Sequence, residues 1–158
     1  MRTNVCTHAI RFLPTAVIPI HAGQKWYNEL GSTMITESYD AESGVFSGKY
    51  RSLVGTAERF YLLTGRRDMA GNTIGWTVNW QNADLNAHAV TTWSGQLQKS
   101  PFGDPVILTT WLLTAQTEPR NDWDSTNVGK DEFFTEQPSQ ESIERALFRC
   151  QRSHPKTA

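Results

Sequence analysis

The sequence predicts an all-β domain, an eight-stranded antiparallel up-and-down β-barrel followed by a short C-terminal helix. Three observations lead there. From residue 24 to residue 134 the chain is a series of short runs rich in β-branched and aromatic residues, many with apolar side chains at alternate positions, which is the period of a half-buried strand. The segments between runs, "DAESG", "GRRDMAGN", "QNADLN" and "KSPFGDP", hold the Gly, Asn, Asp and Pro that tight turns require. Evenly spaced strands with short connectors build a sandwich or an up-and-down barrel, and eight strands enclose room for one small ligand.

The runs cover residues 25–30, 34–39, 45–53, 59–65, 74–81, 87–97, 106–117 and 125–134. In the fifth, Ile74, Trp76, Val78 and Trp80 share one face; in the sixth, Ala89, Thr91, Trp93 and Leu97 do. The seventh is apolar on both faces, with Ile107, Thr109, Trp111 and Leu113 on one and Val106, Leu108, Thr110 and Leu112 on the other. An apolar outer face needs a cover, and a second copy of the chain is expected to supply it. "RRD" at 66–68 is expected in a solvated hairpin turn. Beyond Pro138, "SQESIERALFRCQR" offers Ser139 as N-cap, acids in the first turn and Ile143, Ala146, Leu147 and Cys150 at helical spacing, predicting a helix over about 140–150. So short a helix is marginal unless docked.

The domain organisation follows. Residues 1–22 carry Arg2, Arg11, an apolar run broken by Pro14 and Pro19, and the small Ala22; they read as an imperfect secretory leader or an extended arm. Residues 23–136 form the barrel and 137–158 a tail containing the helix. A secreted or periplasmic location is expected, and no apolar run approaches membrane-spanning length. Net charge is -1 with lysines and arginines scattered, which argues against a nucleic-acid or membrane partner. Cys6 and Cys150 could pair, stay free or bridge two chains.

No nucleophile elbow, phosphate loop or His-Glu-x-x-His run occurs, and His8, His21, His88 and His154 lie far apart, so neither catalytic residues nor a metal or cofactor is expected. "GWTVNWQNADLNAHAVTTWSGQ" is the informative stretch, with three tryptophans among threonines and asparagines and no lysine, arginine or glutamate. Indoles alternating inward with small hydrogen-bonding side chains suit a dry pocket holding a few placed polar groups. A barrel plugged by aromatics, its hydroxyls bonded to its own backbone, is the competing reading.

"KWYNELGST", "SGKYRSLVG", "GWTVNWQN", "NAHAVTTWSGQ", "TTWLLT" and "WDSTNVGKDEFF" resemble, in order and spacing, the successive strand motifs of the avidin and streptavidin family, from about Trp26 to Phe134. The resemblance implies a non-catalytic, high-affinity biotin-binding barrel that assembles as a homotetramer. Asn28, Ser32 and Tyr50 would donate to the ureido oxygen, and Ser52 and Asp131 would accept from the ureido N–H groups. Trp80, Trp93 and Trp111 would wall the bicyclic ring with Leu113 behind, Thr91 would meet the thioether sulfur, and Trp123 would be lent to a neighbouring subunit. Departures from the streptavidin pattern are Ala89 for a serine at the valerate carboxylate, Thr56 for an asparagine in the loop after the third strand, Gln24 for a glycine before the first strand, and Thr110 and Lys130 for a glutamine and a histidine at the subunit interface. Other readings of the same barrel are a lipocalin-like carrier of another small molecule and a structural oligomer that has lost biotin binding; the five urea partners separate them from the first.

Overall fold

The structure is a computed structural model and describes residues 16–53 and 59–153. Eight strands, β1 (Lys25–Asn28), β2 (Thr33–Tyr39), β3 (Val45–Arg51), β4 (Tyr61–Arg67), β5 (Thr73–Gln81), β6 (Asn86–Lys99), β7 (Pro105–Ala115) and β8 (Thr126–Phe134), precede a helix α1 (Gln140–Ser153). Each strand pairs antiparallel with the next, and β1 closes on β8 through Tyr27↔Phe134 and Asn28↔Phe133, giving a closed barrel in chain order. A short 3₁₀ turn, Pro119–Asp124, bridges β7 and β8.

The inward faces follow the sequence alternation. Ile74, Trp76 and Val78 of β5, Thr91, Trp93 and Leu97 of β6 and Ile107 and Thr109 of β7 are buried. Half of the interior is an aromatic base: the Trp76 indole stacks on Trp93 with ring centroids 5.6 Å apart, and Phe133 meets Trp76 edge-on at 5.2 Å. The other half is open. Plugged barrel and ligand cavity are thus two levels of one interior.

β4 differs from its expected span by two residues at each end. Arg66 and Arg67, expected in a solvated turn, pair with Gly75 and Ile74, and Arg67 is only 4% exposed. The reason lies in the N-terminal segment. Arg67 donates from Nη1 to the Ile18 carbonyl (2.6 Å) and from Nη2 to the Gly71 carbonyl (2.9 Å). Asn72 accepts from the Ile18 N–H at 2.8 Å and donates to the Ala16 carbonyl at 3.2 Å. Residues 16–22 are therefore strapped across the barrel end that carries the β4–β5 turn, and Ile18 and Ile20 join the hydrophobic core. A boundary drawn at residue 22 separates that strap from the guanidinium that holds it. Gln24, the departure at the start of β1, is accommodated because Gly23 takes the left-handed backbone conformation (φ +83°) and the Gln24 carbonyl accepts from Thr36 N–H at 3.0 Å.

The helix starts where expected, with Ser139 Oγ accepting from the Ser142 N–H at 3.2 Å, and runs three residues further than expected. Its buried face carries Ile143 and Ala146. Among the described residues no helix is long and apolar enough to cross a membrane. Cys6 lies outside the described residues, as does Thr56.

Candidate ligand-binding site

A cavity of about 300 Å³ opens above the aromatic base, at the lower end of the size range for small-molecule sites. Alternation along the strands builds its walls. β6 contributes Ala87, Ala89, Thr91 and Trp93, β7 Trp111 and Leu113, β8 Asp131, β3 Tyr50, β4 Tyr61 and β5 Trp80, while Asn28 ends β1, Ser32 precedes β2 and Ser52 follows β3. Eleven of the thirteen residues singled out from the sequence therefore converge on one cavity: Asn28, Ser32, Tyr50, Ser52, Trp80, Ala89, Thr91, Trp93, Trp111, Leu113 and Asp131. Trp123 does not line it; it projects from the 3₁₀ turn, 83% exposed in the single chain. Leu30, Tyr61, Leu85 and Ala87 also line the cavity and were missed. Tyr61 packs edge-on against Trp80 with centroids 5.1 Å apart; its place at the head of β4 was the only available signal.

Polar groups are held at one part of the cavity by bonds among themselves. Asn28 Oδ1 accepts from the backbone N–H groups of Leu30 (3.1 Å) and Ser32 (2.8 Å), leaving its amide N–H₂ as the donor. Trp93 Nε1 donates to Asp131 Oδ2 at 2.8 Å, which fixes both the carboxylate and the indole. Ser32 Oγ accepts from the Leu53 N–H at 3.2 Å. Trp80 Nε1 donates to Thr91 Oγ1 at 2.7 Å, so the threonine's own O–H is left to donate elsewhere. A Cβ on Gly129 would collide with the Trp111 indole, so glycine at this position of β8 lets that ring lie against the strand.

Burial sets the protonation chemistry. It pushes the Tyr50 hydroxyl far above its ordinary value, and the nearby Asp131 charge adds to this, while a hydrogen bond with Ser32 opposes it. Tyr50 thus stays a neutral donor at any physiological pH. Burial also raises the Asp131 carboxyl above the usual range, opposed by hydrogen bonds from Trp93, Trp111 and Asn28. Glu29, whose Oε2 accepts from the Glu132 N–H at 2.9 Å, is raised by burial and by the charge of Asp131. An acid whose folded pKa lies above its unfolded value contributes stability that is fully present below the unfolded value, about 4, and is lost as pH rises through the folded one. The unliganded protein is therefore expected to be destabilised relative to a Glu29→Gln/Asp131→Asn variant at pH 7, with the difference closing as pH falls towards about 4.5. Urea denaturation of both proteins across that range checks this, and a pH-independent difference contradicts it.

Towards the β5–β6 turn the lining becomes apolar, with Leu85, Ala87, Ala89 and Leu113. No metal-binding cluster of His, Cys, Asp and Glu occurs among the described residues. The outer face of β6–β8 carries exposed Val90, Leu112 and Val128, and the register Leu112↔Val128 places two of them side by side. Lys130 and Thr110 face each other nearby on the same outer surface.

The chain is a closed up-and-down barrel whose interior holds an aromatic-walled, polar-ended cavity. The sequence model of the Avidin family matches residues 17–136, and the chain belongs to that family. It is also 39% identical over 97 residues to Afifavidin of Afifella pfennigii, an alignment covering 58% of this chain and 56% of that protein.

Proposed function

We propose that the protein binds biotin tightly, without catalysis, inside the barrel, and does so as a homotetramer. The observation that carries this is the gathering of Asn28, Ser32, Tyr50, Ser52 and Asp131 on one cavity of an avidin-family barrel. A urea presents one carbonyl oxygen and two N–H groups. The Asn28 amide, Ser32 and the Tyr50 hydroxyl donate to the oxygen, and Ser52 and the Asp131 carboxylate accept from the nitrogens. Donors on one side and a carboxylate on the other polarise the urea, and such charge-assisted bonds strengthen in a dry site. Trp80, Trp93 and Trp111 sandwich the ring system, and the free O–H of Thr91 meets the sulfur. Thr56 would contribute its backbone N–H at the tail end. Ala89 supplies no hydrogen bond there, so the tail carboxylate is held less well than the ring. A carrier of apolar ligands has no use for five urea partners.

Exposed Val90, Leu112 and Val128 supply the apolar face that copies of the chain cover in the tetramer, and the projecting Trp123 is offered to the neighbouring copy's cavity. Secretion or periplasmic export fits a vitamin-sequestering role. Quenching of the indole emission by added biotin tests the ligand: saturation at one equivalent per chain is expected, and an unchanged spectrum at a hundredfold excess rules the reading out.

A further inference from the structure

We infer that α1 is a positioning element of the ligand site, with Ile143 as its contact residue. The closing register of the barrel, Asn28↔Phe133, brings the end of β8 beside the β1–β2 turn, so the chain leaving β8 reaches that turn within the first turn of α1. Ile143 is buried there. Gly31 stands at the contact with φ +82°, and a Cβ built on it would lie 2.8 Å from Ile143 Cδ1 and 3.0 Å from Leu53 Cδ1. Ile143 Cδ1 and Leu53 Cδ1 therefore both pack against the same glycine, whose left-handed backbone conformation disfavours any residue with a Cβ.

What this contact holds is the polar end of the cavity. Leu53 N–H donates to Ser32 Oγ (3.2 Å), and Ser32 N–H is anchored by Asn28 Oδ1 (2.8 Å). Gly31 lies between two lining residues, Leu30 and Ser32, and Leu53 directly follows a third, Ser52. No strand ladder reaches Leu53: the last β3 pairing is Thr33↔Arg51. α1 thereby backs the glycine that precedes Ser32 and against which the half-exposed Leu53 packs, adding to the Asn28 bonds that already anchor Ser32. Ile143 does not line the cavity; it acts through Gly31 and Leu53.

Two readouts on Ile143→Ala test this. Amide hydrogen exchange of the unliganded protein needs no ligand: exchange at Leu53 and Ser32 is expected to quicken at least tenfold, while interior amides of β6 and β7 change less than threefold, and Ile143→Leu is expected to restore protection. Unchanged exchange at Leu53 and Ser32, or a uniform rise throughout the barrel, overturns the inference. The second readout rests on the biotin reading: dissociation of biotin is expected to be at least tenfold faster in Ile143→Ala but unaltered in Ile20→Ala, which removes comparable burial at the strap end. Equal acceleration in both variants makes α1 merely structural and overturns the inference; a wild type that binds no biotin removes the ligand reading alone, and the exchange result then decides.

Discussion

A chain begun at Gly23 is expected to lose most of the folding stability of one begun at Ala16. Removing residues 16–22 takes Ile18 and Ile20, 6% and 3% exposed, out of the core, at about 1.5–3 kcal/mol each. It also strips the Ile18 carbonyl from the Arg67 guanidinium and leaves the Asn72 amide without its two backbone partners. A hydrogen bond to a charged group is worth about 1.5–3 kcal/mol, so with the two isoleucines the combined loss is a large share of the roughly 5–15 kcal/mol that holds an ordinary domain together. Arg67→Met in the truncated chain is expected to recover part of the loss, because an apolar side chain there has no donor deprived of the Ile18 carbonyl. Urea denaturation of the two truncated chains and the full one measures the effect, and equal midpoints contradict it. The same physics bears on processing: a cut after Ala22 would take the Ile18 carbonyl from Arg67, and a cut before Ala16 would leave it in place.

Combining Asn28→Ala with Asp131→Ala is expected to weaken biotin binding by about 3–6 kcal/mol, the sum of two charged or polar partners lost from a dry site. The barrel should survive, since neither side chain belongs to the aromatic base. Each residue also has a structural duty that the test must separate. Asn28 Oδ1 holds the Leu30 and Ser32 N–H groups, so Asn28→Asp keeps the turn while removing the donor. Asp131 holds the Trp93 indole, so Asp131→Asn keeps an acceptor for Nε1 while removing the charge. The paired conservative variants are expected to lose most of the same affinity by isothermal titration. Affinity unchanged from wild type would refute the assigned roles.

Much of the barrel was legible because strands report their faces every second residue. Trp76, Val78 and Trp93 lie inward as the alternation requires, whereas the site residues, Asp131 of β8 among them, were picked out by the family resemblance and meet at one cavity. Strand ends were less legible, since pairing partners rather than propensity decide where a ladder stops. Arg66 and Arg67 look like turn residues until Gly75 and Ile74 are seen opposite them. The strap was hidden for a related reason: "AVIPIHA" carries a proline and too short an alternation to read as a strand, and its place is explained by Arg67, Asn72 and the core that takes Ile18 and Ile20. Leu85 and Ala87 entered the cavity unannounced because short apolar side chains beside a turn carry no chemical signature. Ser139, by contrast, announced the helix start through its hydroxyl, though nothing in the helix itself disclosed that Ile143 meets Gly31.

The most direct measurement is the thermal unfolding transition with and without excess biotin, followed by tryptophan fluorescence. A ligand that binds only the folded state raises stability by RT ln(1 + [L]/Kd), so tight binding predicts a large upward shift, one that the paired Asn28 and Asp131 variants reduce. A transition that does not move with biotin in excess would contradict the account at its centre, leaving an avidin-family barrel whose cavity serves another ligand.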